Sequence, residues 1–216
     1  MLSKPIGRPR TWPVDEGFFD RYTADMAYVV GLFQADGANQ VSRRRLTIKL
    51  KASDSAHLSA VASAMRAPRP LVPSLLGGVE FAVYSRRLSA GLASWGVVSP
   101  KTHTASTDPR LLFDVDYWRG VMDGDGTLCD TADGRRILAL VGSRPVCDQF
   151  LAFCRAYGTG RRVNVHANRS IWTAKVSGSE AVTMARLLYG QPGLALPRKA
   201  AIAARWLAET RKQVSA

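Results

Sequence analysis

Two segments of the sequence repeat one another at a fixed spacing. YVVGLFQADG at residues 28–37 matches YWRGVMDGDG at residues 117–126, with an offset of 89 positions. The offset persists downstream, since a helix-start signal, Asp54 in the first half and Ser143 in the second, follows each segment after the same interval. A duplication of this kind predicts two similar structural units within the chain.

Each half is predicted to contain a helix, two strands, a second helix, two further strands and a third helix. The clearest strand is SRRRLTIKLK at 42–51, where basic and polar residues alternate with leucine and isoleucine, which indicates one buried and one cationic face. The strand candidates of the second half are ILALVG, RRVNVHAN and SIWTAKV. We predict an α+β chain with a basic N-terminal arm at 1–19, a first unit at 20–103, a linker at 104–113 and a second unit at 114–216.

The repeated segment is predicted to form the first helix of each unit, and it carries small residues four positions apart. Gly31 and Ala35 form such a pair in the first copy, and Gly120 and Gly124 do so in the second. Small residues at this spacing let two helix backbones approach closely, because no bulky side chain separates them. We therefore expect the two copies to pack against each other.

Each of these helices ends in an aspartate, Asp36 in the first copy and Asp125 in the second. A carboxylate at the C-terminal end of a helix is destabilised by the helix dipole by about 0.3–1 kcal/mol. If the helices pair in parallel, the two carboxylates approach each other and repel by about 4 kcal/mol at about 4 Å and an effective dielectric of about 20. A divalent cation relieves both costs, and Mg²⁺ prefers such oxygen ligands. Two turn-forming Asp-Gly pairs are the alternative explanation.

The chain is strongly basic. It has 30 Lys and Arg against 17 Asp and Glu, a net charge of +13, which indicates a polyanionic partner such as nucleic acid or an acidic membrane surface. Membrane binding would need a basic amphipathic helix, whereas the charge here lies largely on predicted strands, so we expect no membrane partner. The sequence has neither a secretory signal nor an apolar run of about 20 residues, so a cytoplasmic location is expected. Its three cysteines lack metal-binding spacing and are expected to be reduced and partly buried.

VVGLFQADG and WRGVMDGDG resemble the nine-residue signature of the LAGLIDADG homing endonucleases, and the order of elements is similar over residues 20–205. The resemblance implies two pseudo-symmetric αββαββα units in one chain, packed through the paired signature helices, with antiparallel sheets that form a saddle in the DNA major groove. It implies a monomeric, site-specific double-strand DNA endonuclease (a homing endonuclease), freestanding or intron-encoded, with a long recognition site and no obligate protein partner.

The same resemblance implies how the site is built. Asp36 and Asp125 would bind Mg²⁺ with the help of the carbonyls of Ala35 and Gly124, with Mn²⁺ as a substitute and Ca²⁺ binding without supporting cleavage. A basic catalytic residue is implied near the metal in each unit. The candidates are Lys101, 65 residues after the first aspartate, and Lys199, 74 residues after the second.

One position departs from the signature. Gln34 stands where the second copy has Asp123 and where the family pattern has an acid. We expect position 34 to lie outside the metal ligands, so that activity survives, and we expect Asp123 to be solvated or beyond the metal ligands. His57 is expected on a helix surface.

The residues predicted to contact DNA come from the alternating faces of the strands. They are Arg43, Arg45, Thr47, Lys49, Lys51, Tyr84, Arg136, Arg162, Asn164, His166, Thr173 and Lys175. A shift of one residue would turn a whole strand over, so the set depends on the register. The alternative function is a DNA-binding regulator or an RNA maturase that does not cleave, although the presence of both terminal aspartates favours cleavage.

Overall fold

The chain consists of two units with the same order of elements, in a computed structural model that describes residues 12–74, 77–100 and 104–214. The first unit contains α1 (Ala24–Ala35), β1 (Gly37–Gln40), β2 (Arg45–Lys51), α2 (Ser55–Ala64), β3 (Val72–Pro73), β4 (Gly78–Tyr84) and α3 (Arg86–Ser94). The second contains α4 (Val115–Asp125), β5 (Gly126–Asp130), β6 (Arg136–Gly142), α5 (Arg144–Ala156), β7 (His166–Asn168), β8 (Ile171–Ser177) and α6 (Ser179–Tyr189), followed by α7 (Pro197–Val214). The predicted order is confirmed in both units, and α7 is an additional helix.

The strands form two four-stranded antiparallel sheets, ordered β1-β2-β4-β3 in the first sheet and β5-β6-β8-β7 in the second. The registers correspond as well, since Gly37 pairs with Ile48 in the first sheet and Gly126 pairs with Leu140 in the second. The α+β class and the pseudo-symmetric duplication are therefore confirmed by topology and by register.

One side of each sheet is covered by helices, as the alternation of side chains predicted. Leu46 and Ile48 in the first sheet, and Leu138 and Leu140 in the second, are fully buried beneath those helices. We call the other side of each sheet its open face. The first open face carries Arg45, Thr47, Lys49, Lys51, Glu80, Ala82 and Tyr84, and the second carries Ile137, Ala139, Val141, Ile171, Thr173, Lys175 and Ser177.

The sequence predicts two helix N-caps, Asp54 and Ser143, and one of them is confirmed. Ser143 Oγ accepts a hydrogen bond from Val146 N at 3.3 Å at the start of α5. Asp54 stands at the matching position before α2, but its side chain makes no capping hydrogen bond. Its carboxylate instead accepts from Arg198 Nε at 3.2 Å, so this acid links the two units.

Two predicted strands begin later than expected. Arg43 lies in a 3-10 turn, Val41–Arg43, and Arg44 has a φ of 53°, so β2 starts at Arg45. In the segment RRVNVHAN only His166–Asn168 is a strand. In the loop before this strand, the carbonyl oxygen of Val163 accepts a hydrogen bond from Arg155 Nη2 at 2.8 Å, where a strand residue would pair with a neighbouring strand.

The predicted arm and linker are partly packed against the units. Phe18 and Phe19, inside the predicted arm, are 7% and 2% exposed. Residues 1–11 of that arm lie outside the described residues. In the predicted linker Leu111 is fully buried, and Thr107 N donates to Gln149 Oε1 at 2.8 Å. Because Phe18, Phe19 and Leu111 are buried, the described parts of the arm and the linker belong to the folded units. None of the helices described here has the length and apolar character needed to cross a bilayer.

The two units are joined by α1 and α4, which pack with their backbones in contact. A Cβ atom added at Gly31 would lie 2.1 Å from the carbonyl oxygen of Tyr117. A Cβ atom added at Gly120 would lie 2.1 Å from the carbonyl oxygen of Tyr28. The contact is thus symmetric, and the close pairing predicted from the small residues is confirmed.

This contact predicts that Gly120→Ala destabilises the protein. A methyl group at this position collides with backbone, which cannot rotate away, so we expect a loss of about 1–3 kcal/mol in the free energy of unfolding. The measurement is a urea unfolding curve. Gly142→Ala is the matched control, because its nearest neighbour would be a side-chain atom 3.9 Å away. Equal midpoints for the two variants would contradict the prediction.

Candidate active site and DNA interface

The two signature helices bring their last residues together. A Cβ atom added at Gly124 would lie 2.3 Å from Ala35 Cβ and 3.2 Å from Asp36 Oδ2. The end of α4 therefore lies directly against the end of α1. A side chain at position 124 would push the carboxylate of the opposite helix away, which explains why a glycine precedes the second aspartate.

A cavity lies beside each of the two aspartates. The cavity at Asp36, of about 500 Å³, is also lined by Gly124, Lys49, Lys51 and Arg198. The cavity at Asp125, of about 240 Å³, is also lined by Ala35, Gln34, Val141 and Ile171. Each cavity thus combines the aspartate of one helix with a residue at the end of the other helix, and each reaches the open face of one sheet. The four residues predicted to bind metal are brought together in this crossed arrangement.

The chemistry of this donor set fits a hard cation that keeps much of its water. Across the described ranges, no group of three or more His, Cys, Asp and Glu residues could hold a metal ion. A cation at either aspartate would therefore be held by carboxylate, backbone carbonyl and water. Mg²⁺ is commonly bound through one or two carboxylates and retains several waters, so the residues fit this ion.

The acid at position 123 does not belong to this donor set. Asp123 is 1% exposed, and it accepts hydrogen bonds from Tyr28 and Tyr189 hydroxyls, both at 2.7 Å, and from Leu196 N at 2.6 Å. Of the two expected places for Asp123, a solvated one is wrong, because the helix pairing encloses the side chain, and one beyond the metal ligands stays a prediction. Burial and the neighbouring carboxylate raise the pKa of both tyrosines, which keeps their hydroxyl protons available as donors.

His57 extends this buried network. Its Nε2 lies 2.8 Å from the Tyr28 hydroxyl, and the residue is 4% exposed. The expected surface position is therefore wrong, since α2 turns this side chain toward the helix pair. Burial lowers the pKa of His57, so the ring is a neutral hydrogen-bonding partner here.

The matching position in the first unit has a different environment. Gln34 is 5% exposed and lines the cavity at Asp125. Its Nε2 has no hydrogen-bond partner among the residues that the structure describes. Glutamine therefore makes the two units chemically unequal next to the aspartates.

Lys199 closes the C-terminal end of α4. It is 3% exposed, and its Nζ donates to the carbonyl oxygens of Met122, Asp123 and Gly126 at 2.6, 2.8 and 2.6 Å. Burial lowers its pKa to about 8. The ammonium satisfies carbonyls that a helix end leaves unpaired, and it opposes the negative end of the dipole. Its catalytic role stays a prediction, and Lys101 lies outside the described residues.

The first open face contains an acidic residue, Glu80, that is absent from the predicted DNA contacts. Glu80 on β4 lies opposite Lys49. Its carboxylate forms ion pairs with Lys49, at 3.3 Å, and with Arg45. Thr47 is 8% exposed and Tyr84 is 55% exposed. The alternation in GVEFAVY, with Glu80 two positions before Ala82, could have placed this acid on the cationic face.

Four of the predicted DNA contacts do not lie on the open face of a sheet. Arg136 lies two residues before buried Leu138, so both side chains are on the same side of β6. Its guanidinium donates to Glu209 and Thr210 of α7 at 2.7 and 2.9 Å. It therefore lies on the helix side of its sheet, and its prediction as a DNA contact on the open face is wrong. Thr173 and Lys175 do lie on the open face, with His166 opposite Thr173, whereas Arg162, Asn164 and Arg43 lie in loops or turns.

Comparisons with known proteins give matches in structure only. No protein-family model matches the sequence, and no curated protein matches it. The LAGLIDADG meganuclease I-AabMI bound to uncleaved DNA superimposes with a TM-score of 0.62 at 12% identity, over 90% of this chain and 92% of that chain. Mesophilic variants of the homing endonuclease I-DmoI superimpose with a TM-score of 0.58 at 14% identity, over 84% of this chain and 97% of that chain. Meganuclease I-SmaMI bound to uncleavable DNA superimposes with a TM-score of 0.62 at 8% identity, over 87% of this chain and 91% of that chain.

These matches define the class of fold. The chain has the two-unit fold of single-chain LAGLIDADG homing endonucleases, a fold used by DNA-binding endonucleases. The resemblance of the two sequence segments to the family signature is thereby confirmed at the level of the fold. The signature segments form the paired central helices.

The capping contacts predict that Lys199→Met destabilises the protein. The variant keeps the length of the side chain but leaves three helix-end carbonyls without a donor, so we expect a loss of about 2 kcal/mol in unfolding free energy. Urea unfolding measures the loss. The matched control is Arg87→Met, which removes an exposed ion pair with Asp20 and should cost less than about 1 kcal/mol. A normal midpoint for Lys199→Met would show that the cap does not stabilise the helix end.

Proposed function

We propose that this protein is a site-specific double-strand DNA endonuclease that hydrolyses phosphodiester bonds with a divalent cation. The observation that carries the proposal is the crossed arrangement at the helix ends. Asp36 shares a cavity with Gly124, and Asp125 shares a cavity with Ala35. Two such sites, side by side between two open sheet faces, match the requirement for cutting both strands of one duplex.

The residues of the chain position DNA and the cation in this proposal. Lys49, Lys51 and Arg198 line the cavity of Asp36, where their charge would neutralise the phosphates that approach the carboxylate. Divalent metal, when bound, supplies Lewis acidity and an activated water for phosphodiester hydrolysis. Asp36 and Asp125 would hold it together with the carbonyls of Gly124 and Ala35. Lys199 and Asp123 hold the end of α4 rigid, so that the carboxylates keep their places.

The alternative is a DNA-binding regulator or RNA maturase that does not cleave. Binding alone requires no carboxylates beside the phosphates, because each one repels the polyanion. The presence of both aspartates, each in a cavity with the end of the opposite helix, therefore favours cleavage. We further propose that the enzyme acts as a monomer in the cytoplasm, with a long recognition site as in intron homing.

This proposal predicts that Asp36→Asn and Asp125→Asn each lower Mg²⁺-dependent cleavage of bound duplex DNA by about 100-fold or more. Loss of residues that merely support metal ligands already costs about 10–100-fold. The measurement is strand cleavage of end-labelled duplex with Mg²⁺ or Mn²⁺, with DNA affinity measured separately in Ca²⁺. Asp148→Asn is the matched control, because this acid is half exposed on α5 and pairs with Arg144. Undiminished cleavage by the first two variants, with the control unchanged, would refute the assignment.

The open faces also predict which cysteine DNA protects. Cys129 on β5 pairs with Ile137 and shares the second open face, whereas Cys147 and Cys154 are buried. Burial raises their pKa values to about 11 and about 12, and a pKa of about 11 leaves about 0.1% thiolate at pH 8. Iodoacetamide should therefore modify Cys129 first, and specific duplex DNA should slow this reaction. Mass spectrometry of digested protein measures both effects, and unprotected Cys129 in the complex would place the DNA elsewhere.

A further inference from the structure

The two open faces have the same backbone positions but different chemistry. Because Gly37 pairs with Ile48 and Gly126 pairs with Leu140, the strands β2 and β6 can be matched residue by residue. On this register Arg45, Thr47 and Lys49 of the first sheet correspond to Ile137, Ala139 and Val141 of the second. The polar row of β2 thus has an aliphatic row on β6 as its counterpart, and we call this row together with Ile171 the aliphatic face, beside which β8 carries Thr173, Lys175 and Ser177.

The aliphatic face is accessible from the side on which the aspartates lie. Ile137, Ala139, Val141 and Ile171 are all half-buried and are not part of the closed core. Val141 and Ile171 line the same cavity as Asp125. A duplex that reaches this carboxylate would therefore also contact these side chains.

The major groove of DNA contains one apolar group that such a face can recognise. Only thymine presents a methyl group there, whereas guanine presents two acceptors to Arg or Lys, and cytosine presents an amine to Glu or Asp. Arg45, Lys49 and Glu80 on the first open face are suited to guanine and cytosine. Ile137, Val141 and Ile171 are suited to thymine methyl groups.

We infer that the second unit recognises thymine in its half-site through the methyl groups that the aliphatic face contacts in the major groove. This inference rests on the proposed function, since it requires a duplex across both open faces. The occupant of the aliphatic face is therefore DNA, and not a second copy of the chain. Lys175 on β8 lies on the same open face, opposite Ala139, and its positive charge fits a polyanion better than another basic protein with a net charge of +13.

The first experiment finds the site and assigns its halves. Randomised duplex DNA is selected with the full chain in Ca²⁺, and the bound sequences are determined. An iron–EDTA group is then attached to Cys129 through its thiol, and the half-site cut by this group is the one against the second sheet. Cys147 and Cys154 are fully buried, so the attachment is confined to one position. Thymine should be enriched in the half-site that the iron group cuts.

The second experiment removes the methyl groups without changing the hydrogen bonds. Thymines of one half-site at a time are replaced by deoxyuridine. We expect about a three- to fivefold loss of affinity for each contacted methyl, and tenfold or more for several, only in the half-site of the second sheet. The double variant Val141→Thr and Ile171→Thr should reduce the discrimination between thymine and uracil in that half-site. Thr47→Val, on the first sheet, is the matched control and should leave the discrimination unchanged.

The outcomes separate the inference from the proposed function. A specific duplex whose affinity changes less than twofold with deoxyuridine, or equally in both half-sites, overturns the inference and leaves the nuclease proposal standing. A dimer in solution that the double variant dissociates overturns it as well, because a second copy would then occupy the face. Selection of no duplex at all would overturn the nuclease proposal and this inference together.

Discussion

The contact between α1 and α4 determines the geometry of everything else in this protein. Gly31 and Gly120 let each backbone lie against the other at a distance where a single methyl group would collide with a carbonyl oxygen. This closeness places the ends of both helices side by side. The two aspartates and the two helix ends therefore lie side by side, and each cavity is lined by residues of both units.

Such an arrangement has an electrostatic cost, and the structure shows how part of it is relieved. Lys199 donates to three carbonyls at the end of α4, and it opposes the negative pole of the helix at the place where Asp125 adds to it. Asp123 accepts hydrogen bonds from two tyrosine hydroxyls and from Leu196 N, and this buried network also holds the C-terminal end of α4 in place. The supporting residues thus keep the carboxylates in place without taking part in their cavities.

Pseudo-symmetry of the backbone coexists with asymmetry of chemistry. Gln34 and Asp123 occupy matching positions, yet one has an unpartnered amide nitrogen among the described residues and the other accepts three hydrogen bonds. The open faces differ in the same way, since Lys49 and Val141 share a register position. The two units are therefore equivalent in backbone but not in the chemistry of their open faces.

The sequence by itself determined the duplication, the order of elements, the close helix pair and the two terminal aspartates, because these depend on local spacing and on residue size. Only the tertiary structure decided which side of a strand Arg136 faces, that Glu80 neutralises part of the cationic face, and that Lys199 is a buried cap. Those facts depend on α7 and on cross-strand neighbours far apart in the chain. Periodicity records that a strand has two faces, whereas packing against distant elements decides which residues each face meets.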